Sequence, residues 1–275
     1  MPSKQQTATD SLQFFFNARY PAGFTDSTAW LGIYQVLLWY EKIGVKGIFS
    51  LPHIIDSDKL RPPASQKGKK SSSEFSAWQK RAQLLEIYMA EQLSCKPGEV
   101  EGYTNGLFKL PVYKKLQRQN PLGIVFPMLV KSVLEKFGNP AIRYELEVDA
   151  TKLFPGITMP GRSKTPSIDI LASKSDSSLA IISAKWSLRH DRVGDLTSEC
   201  PEYKAAAVRR RWSPFYYFVV TNEFDPARLA KILNDQCIDG LVHVHKPAVQ
   251  TVCKLNGRLD KMLDLTDLIT RTKNW

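Results

Sequence analysis

The spacing of apolar and polar positions changes character along the chain. Trp30, Leu31, Ile33, Tyr34, Leu37, Leu38 and Ile43 recur at helical spacing behind Asp26, Ser27 and Thr28, which can cap a helix. Pro62-Pro63 and the serine-rich run 65–73, with Lys67, Lys69 and Lys70, break that pattern and read as a basic loop. A second helix is expected over 76–93, closing before Lys96-Pro97-Gly98. Positions 122–137 are again apolar at helical spacing, interrupted by Pro127 and ended by Gly138-Asn139-Pro140.

Beyond Pro140 the period shortens. Runs at 143–148, 167–172, 179–187 and 215–221 read as strands, and 240–245 as a further one. Helices fit between and after them, over 196–209, over 225–233 with Asp225 as N-cap and Pro226 in the first turn, and over 260–270. Strands followed by helices predict an α/β fold over 117–275, preceded by a mainly helical N-terminal domain over 1–116. No internal repeat is visible.

Composition narrows the class. With 43% hydrophobic and 11% aromatic residues in 275, the chain can bury a sizeable core, which excludes a disordered or low-complexity segment. The length suits one large domain or two modest ones. Its longest apolar stretches, such as 123–130 and 179–182, fall far short of the roughly 20 residues that span a bilayer. Met1 to Gln6 show no apolar run behind a basic end, so neither a signal peptide nor a membrane partner is expected. Cys95, Cys200, Cys237 and Cys253 are scattered without a CxxC pair, so four free thiols in a reducing cytoplasm are expected. Thirty-eight Lys and Arg against 27 Asp and Glu leave a formal charge of +11, which favours a polyanionic partner.

The densest chemistry lies in 166–192, PSIDILASKSDSSLAIISAKWSLRHDR. A strand over 167–172, a polar turn over 173–178 and a strand over 179–185 make a β-hairpin that sets Asp169 near Lys185. Alternation puts Ser183 and Lys185 on one face. A carboxylate beside a lysine at a strand end suits metal-assisted phosphodiester hydrolysis. The carboxylate holds Mg²⁺, which keeps most of its waters, and the lysine orients or deprotonates the attacking water. Taken alone, Asp169 and Lys185 read more readily as a surface ion pair, because such pairs are common.

Three linked features carry a resemblance. Ser183-Ala184-Lys185 is an S-x-K element, Lys185 opens the run Lys185-Trp186-Ser187-Leu188-Arg189-His190-Asp191-Arg192, and Glu199 follows Lys185 by 14 positions. Together with Asp169 they resemble the PD-(D/E)xK nuclease superfamily, and within it the type II restriction endonucleases that recognise CCGG-containing sites. The BsaWI type, with a helical region before the catalytic core, is the most similar arrangement. The resemblance implies a mixed central β-sheet flanked by helices. It implies that Ser183 marks a vacated acid position, that Glu199 supplies the metal-binding acid from the following helix, and that Asp169 and Glu199 hold Mg²⁺. It also implies that Arg189, Asp191 and Arg192 read bases. That last role agrees with groove chemistry, since an arginine fork grips guanine N7 and O6 and an aspartate accepts from cytosine N4.

In the family a further glutamate follows a Gly-x-x-Phe element. Gly123-Ile124-Val125-Phe126 resembles that element, but Pro127 stands in the acid's place, leaving Glu135, Glu145 and Glu147 as candidates. Gln119 or Asn120 falls near the slot of a glutamine that reads outer bases in some members. Arg209-Arg210-Arg211 and the 67–70 loop are either phosphate contacts or solvated charge. His243 and His245 share a strand face without a third ligand nearby, so a structural or surface role is expected, and His190 is not needed as a base.

The expectation is therefore a Mg²⁺-dependent, site-specific deoxyribonuclease acting on double-stranded DNA and leaving 5′ overhangs. A palindromic site calls for a homodimer or a tetramer. The resemblance further implies a prokaryotic cytoplasm and a cognate DNA methyltransferase in the same cell. It does not extend over 1–116, where clasping DNA and oligomerisation stand as open roles for the N-terminal domain. Two alternatives stand beside it, a structure-selective repair or recombination nuclease of the same superfamily and a non-catalytic basic DNA-binding protein.

Overall fold

The computed structural model describes residues 121–162, 166–188, 190–253 and 261–275, together with part of 84–99. The expected helix at 30–43, the 67–70 loop, Gln119, Asn120 and Arg189 lie outside the described residues. Within the expected 76–93 helix, the residues described from Leu84 to Glu91 are helical.

A six-stranded mixed sheet organises the rest. The strands are β1 (Arg143–Asp149), β2 (Ser167–Lys174), β3 (Ser177–Lys185), β4 (Tyr216–Thr221), β5 (Gly240–His243) and β6 (Leu263–Asp264), adjacent in sequence order. β1, β2 and β3 pair antiparallel, and β3 to β6 run parallel. Parallel neighbours require crossovers, which α3 (His190–Arg209), α4 (Pro226–Leu233) and α5 (Lys246–Cys253) provide. Helix α1 (Pro121–Phe137) precedes the sheet, the short α2 (Ala150–Leu153) follows β1, and α6 (Leu265–Lys273) ends the chain. This is the mixed α/β arrangement expected, a central sheet flanked by helices.

The strand sequences explain their place. Ser177–Lys185 reads SSLAIISAK, and Ala180 to Ala184 are buried on both faces, as a central strand covered by helices must be. Burying an isoleucine such as Ile181 or Ile182 stabilises the fold by roughly 1.5–3 kcal/mol each. Phe126 of α1 meets Trp186 edge-on at 5.3 Å, which seats that helix beside the end of β3. Gly240 opens β5 because a Cβ there would lie 2.8 Å from Leu263 and 2.9 Å from the Phe218 ring.

Several expectations need correction. The hairpin strands run on to Lys174 and from Ser177, because Ser173 and Ser178 are paired and buried instead of turning in solvent. Helix α3 begins at His190, not at 196, so Asp191 and Arg192 lie in its first turn. Polar residues and Gly194 hide that start in the sequence. Buried Val193, Leu196, Cys200, Tyr203 and Ala207 then hold one face of α3 against the core. Asp191 there also suits the positive end of the helix. Helix α5 was not expected, and the last helix spans Leu265–Lys273, not 260–270, starting at a capping box between Asp264 and Asp267. The expectation of four free thiols fails as well. Cys200 and Cys237 form a disulfide across 37 residues, while Cys95 and Cys253 take no part in a disulfide. Tertiary packing of α3 against the turn before β5 brings those two sulfurs together. Among the described residues, no helix is long and apolar enough to cross a membrane.

His243 and His245 are buried structural groups. His243 Nε2 lies 3.0 Å from the Glu223 carbonyl oxygen, His243 Nδ1 accepts from His245 N at 3.0 Å, and His245 Nε2 lies 3.1 Å from Tyr88 Oη. Burial, and for His243 also the neighbouring imidazole, push both down to about 3 from the ordinary 6.5. Between those values the unfolded chain binds more protons than the folded one. Stability therefore rises with pH through that window and is fully present above about 6.5. Urea unfolding between pH 5 and 7 should show a slope of up to about 1.4 kcal/mol per pH unit for each histidine. His243→Gln should flatten it, and an unchanged slope would place the acid sensitivity elsewhere.

Candidate active site

The hairpin register builds the site. Ile170 pairs with Ile182, so one step along the ladder Asp169 faces Ser183. Asp169 Oδ2 accepts from Ser183 Oγ at 3.0 Å and from Ala184 N at 2.9 Å. Lys185 Nζ lies 2.7 Å from Oδ1 and 2.6 Å from Oδ2. The carboxylate is thus held by a hydroxyl, a backbone amide and an ammonium, all from β3. Its side chain is 16% exposed and that of Lys185 is 27% exposed, so the pair is partly screened and its surroundings are only partly dry. Ser183 and Tyr217 are also hydrogen-bonded, and burial raises the Tyr217 phenol well above its ordinary range, keeping it neutral.

Helix α3 brings the second carboxylate. Glu199 is buried at 8% exposure and lines the same cleft as Asp169, Ser183 and Lys185. Burial raises its pKa, opposed by Arg162 and Lys185 and reinforced by Asp195 and Asp169. The early start of α3 matters here, since it places Arg192, Asp195 and Glu199 along one stretch of helix over the cleft. Arg192 Nη1 lies 3.9 Å from Asp195 Oδ2 at the more exposed edge.

Arg162 and Asp195 are cleft residues that the sequence did not signal. Arg162 stands in a Pro-Gly-Arg turn and Asp195 in a stretch that reads as loop, so neither carries a pattern of its own. Tyr203 is also there, and its buried hydroxyl has no hydrogen-bond partner among the described residues.

The other candidate acids lie elsewhere. Glu135 pairs with Lys131 on the surface of α1, and Glu145 accepts from Arg143 at 2.8 Å on β1. Glu147 is exposed, with φ at +51°, where the pairing of β1 with β2 skips a residue. None of the three lines the cleft. Arg210 donates to the Leu153 carbonyl oxygen at 3.1 Å and packs on Trp212, so part of the triple-arginine run is tied to the fold.

No group of three or more His, Cys, Asp or Glu side chains is gathered as a metal cage among the described residues. The donors that do share the cleft are the hard oxygens of Asp169 and Glu199. A Mg²⁺ ion uses one or two carboxylates and keeps several waters. The orphaned Tyr203 hydroxyl leaves a hydrogen-bonding position for such water, so this donor set fits that ion.

A second network fixes the segment that leaves β3. Glu223, only 2% exposed, accepts from Leu188 N at 2.7 Å and Arg228 Nη1 at 3.2 Å. Its other oxygen accepts from Phe224 N at 3.0 Å and Asp225 N at 2.8 Å. Asn222 N donates to the Trp186 carbonyl oxygen at 3.0 Å. Residues 186–188 are therefore pinned to the end of β4, directly ahead of Arg189, Asp191 and Arg192. Glu223→Ala would strand several buried donors and should cost about 3–5 kcal/mol in urea unfolding. Glu223→Gln, which keeps one acceptor oxygen, should cost less. A loss below about 1 kcal/mol for the alanine variant would mean that water replaces the carboxylate.

No family model matches the sequence, and no curated protein matches it. Among solved structures, the chain is similar to metal-depleted Ecl18kI in complex with uncleaved, modified DNA. The likeness has a TM-score of 0.31 and 13% sequence identity, over 97% of this chain and 85% of that one. That score is too low to establish a shared fold.

Proposed function

We propose that the protein is a Mg²⁺-dependent type II restriction endonuclease that hydrolyses double-stranded DNA at a CCGG-containing palindrome. One observation carries the reading: the Asp169 carboxylate, held by Ser183, Ala184 and Lys185, opens on the cleft that buried Glu199 also lines. The S-x-K element and the following Arg-x-x-Arg residues supply the rest of the argument.

Asp169 and Glu199 would hold the cation, which when bound neutralises phosphate charge and makes water a better nucleophile at neutral pH. Lys185 sits within hydrogen-bonding reach of Asp169, so its ammonium can orient the attacking water and then face the charge that grows on the phosphoryl oxygens. Water adds to phosphorus and the 3′ oxygen leaves with a proton, giving a 3′-hydroxyl and a 5′-phosphate. Ser183 spends its hydroxyl on Asp169, which keeps that carboxylate turned toward the cleft. Arg189, Asp191 and Arg192 follow the pinned segment and are assigned to base edges in the major groove. The two-fold symmetry of a palindrome calls for two copies of the chain, and the +11 charge supplies attraction to any phosphate backbone. The N-terminal domain over 1–116 is assigned to clasping DNA or to assembly of those copies.

Plasmid DNA incubated with the protein and Mg²⁺ should give discrete fragments ending at CCGG. Random nicking or junction cutting would favour a structure-selective nuclease instead, and intact DNA a binding protein. Lys185→Ala should lower cleavage at least a hundredfold while leaving specific DNA binding. Retained cleavage would remove Lys185 from the chemistry. Arg192→Ala should lose about 1–3 kcal/mol of discrimination at guanine, measured by competition between cognate and substituted sites. Uniform weakening with a shallower salt slope would make Arg192 a phosphate contact, a role its place at the cleft edge also permits.

A further inference from the structure

Asp195 and Glu199 stand four residues apart on α3, the spacing at which two like charges face one another and repel. Glu199 is also mostly withdrawn from water, so a counter-charge is needed nearby. Arg162 supplies it. A single guanidinium nitrogen, Nη2, lies 2.5 Å from Asp195 Oδ2 and 2.8 Å from Glu199 Oε1. That one nitrogen therefore bridges two carboxylates, in a cleft that Asp169 and Lys185 also line. The support of Arg162 differs from that of its partners. Asp195 and Glu199 are fixed on a packed helix, whereas Arg162 follows Gly161, at φ +71°, in a turn closed by Arg162 N donating to the Met159 carbonyl oxygen at 3.2 Å. Moving it breaks no strand or helix.

We infer that Arg162 is a tethered counter-cation that holds Glu199 and Asp195 before catalysis and competes with the divalent cation for Glu199. The inference rests on the reading of Glu199 as a metal ligand. Arg162 is a positioning residue: it keeps two carboxylates aligned that would otherwise push apart, and it lowers the cleft's affinity for metal until it moves. Its planar donors, once released, match a phosphate oxygen pair, so arrival of the DNA backbone offers the guanidinium a new partner as the cation takes the carboxylate.

The test is Mn²⁺ binding to the full chain without DNA, followed by the loss of the free-ion electron paramagnetic resonance signal. Arg162→Gln should bind Mn²⁺ more tightly, on the order of tenfold, because a cation beside a carboxylate biases it against a second positive charge by about that factor. Arg162→Lys should return to within about twofold of the original protein. A variant that merely misfolds would lose affinity, so the sign of the change separates the two cases. Equal or weaker binding by Arg162→Gln, when the original protein binds Mn²⁺ and Glu199→Gln does not, overturns the role of Arg162 alone. If the original protein and Glu199→Gln bind equally, or neither binds, the assignment of Glu199 as a ligand falls, and the role of Arg162 with it.

Discussion

The site depends on one constraint, that a carboxylate placed among buried strands must have both oxygens matched. Asp169 sits in β2 between residues that are almost wholly withdrawn from water, and β3 meets the requirement with Ser183 Oγ, Ala184 N and Lys185 Nζ. The hairpin register and the polarity of the cleft are therefore the same fact seen twice. A shift by one residue would turn Asp169 to the opposite face and leave the Lys185 ammonium without its partner. Isoleucine and alanine on either side drive the burial, and the polar trio lets a charge survive within it.

The parallel half of the sheet carries the remaining parts. β3, β4 and β5 end close together, and Glu223 at the end of β4 holds the segment leaving β3 through the Leu188 amide. That link places the start of α3 beside the hairpin, and α3 in turn delivers Asp195 and Glu199 to Asp169. The Cys200–Cys237 disulfide joins α3 to the turn before β5, one residue beyond Glu199. Helix, strand ends and hairpin thus act as one frame, and the Arg162 turn adds a charged cleft residue from outside regular structure.

Charge works at two ranges. The +11 balance acts over the whole surface and draws any polyanion without reading it. Inside the cleft the balance is even, with Lys185, Arg162 and Arg192 set against Asp169, Asp195 and Glu199. Burial raises the proton affinity of Glu199, and the neighbouring Arg162 and Lys185 oppose that rise.

Much of this was legible in the linear pattern. Short strand-like runs located β1 to β5, Asp225-Pro226 marked the start of α4, and hairpin spacing put Asp169 near Lys185, because period, cap and turn are local properties. Long-range packing decided the rest. It extended α3 back through a polar, glycine-containing stretch to His190, joined Cys200 to Cys237, and set Glu135, Glu145 and Glu147 apart from the cleft. Arg162, Tyr203 and Glu223 gained their places only from neighbours far along the chain. A local sequence specifies which torsions and which faces are favoured. Which charges meet across a cleft is set by how sheet and helices close, since that alone fixes the distances on which desolvation and Coulomb attraction depend.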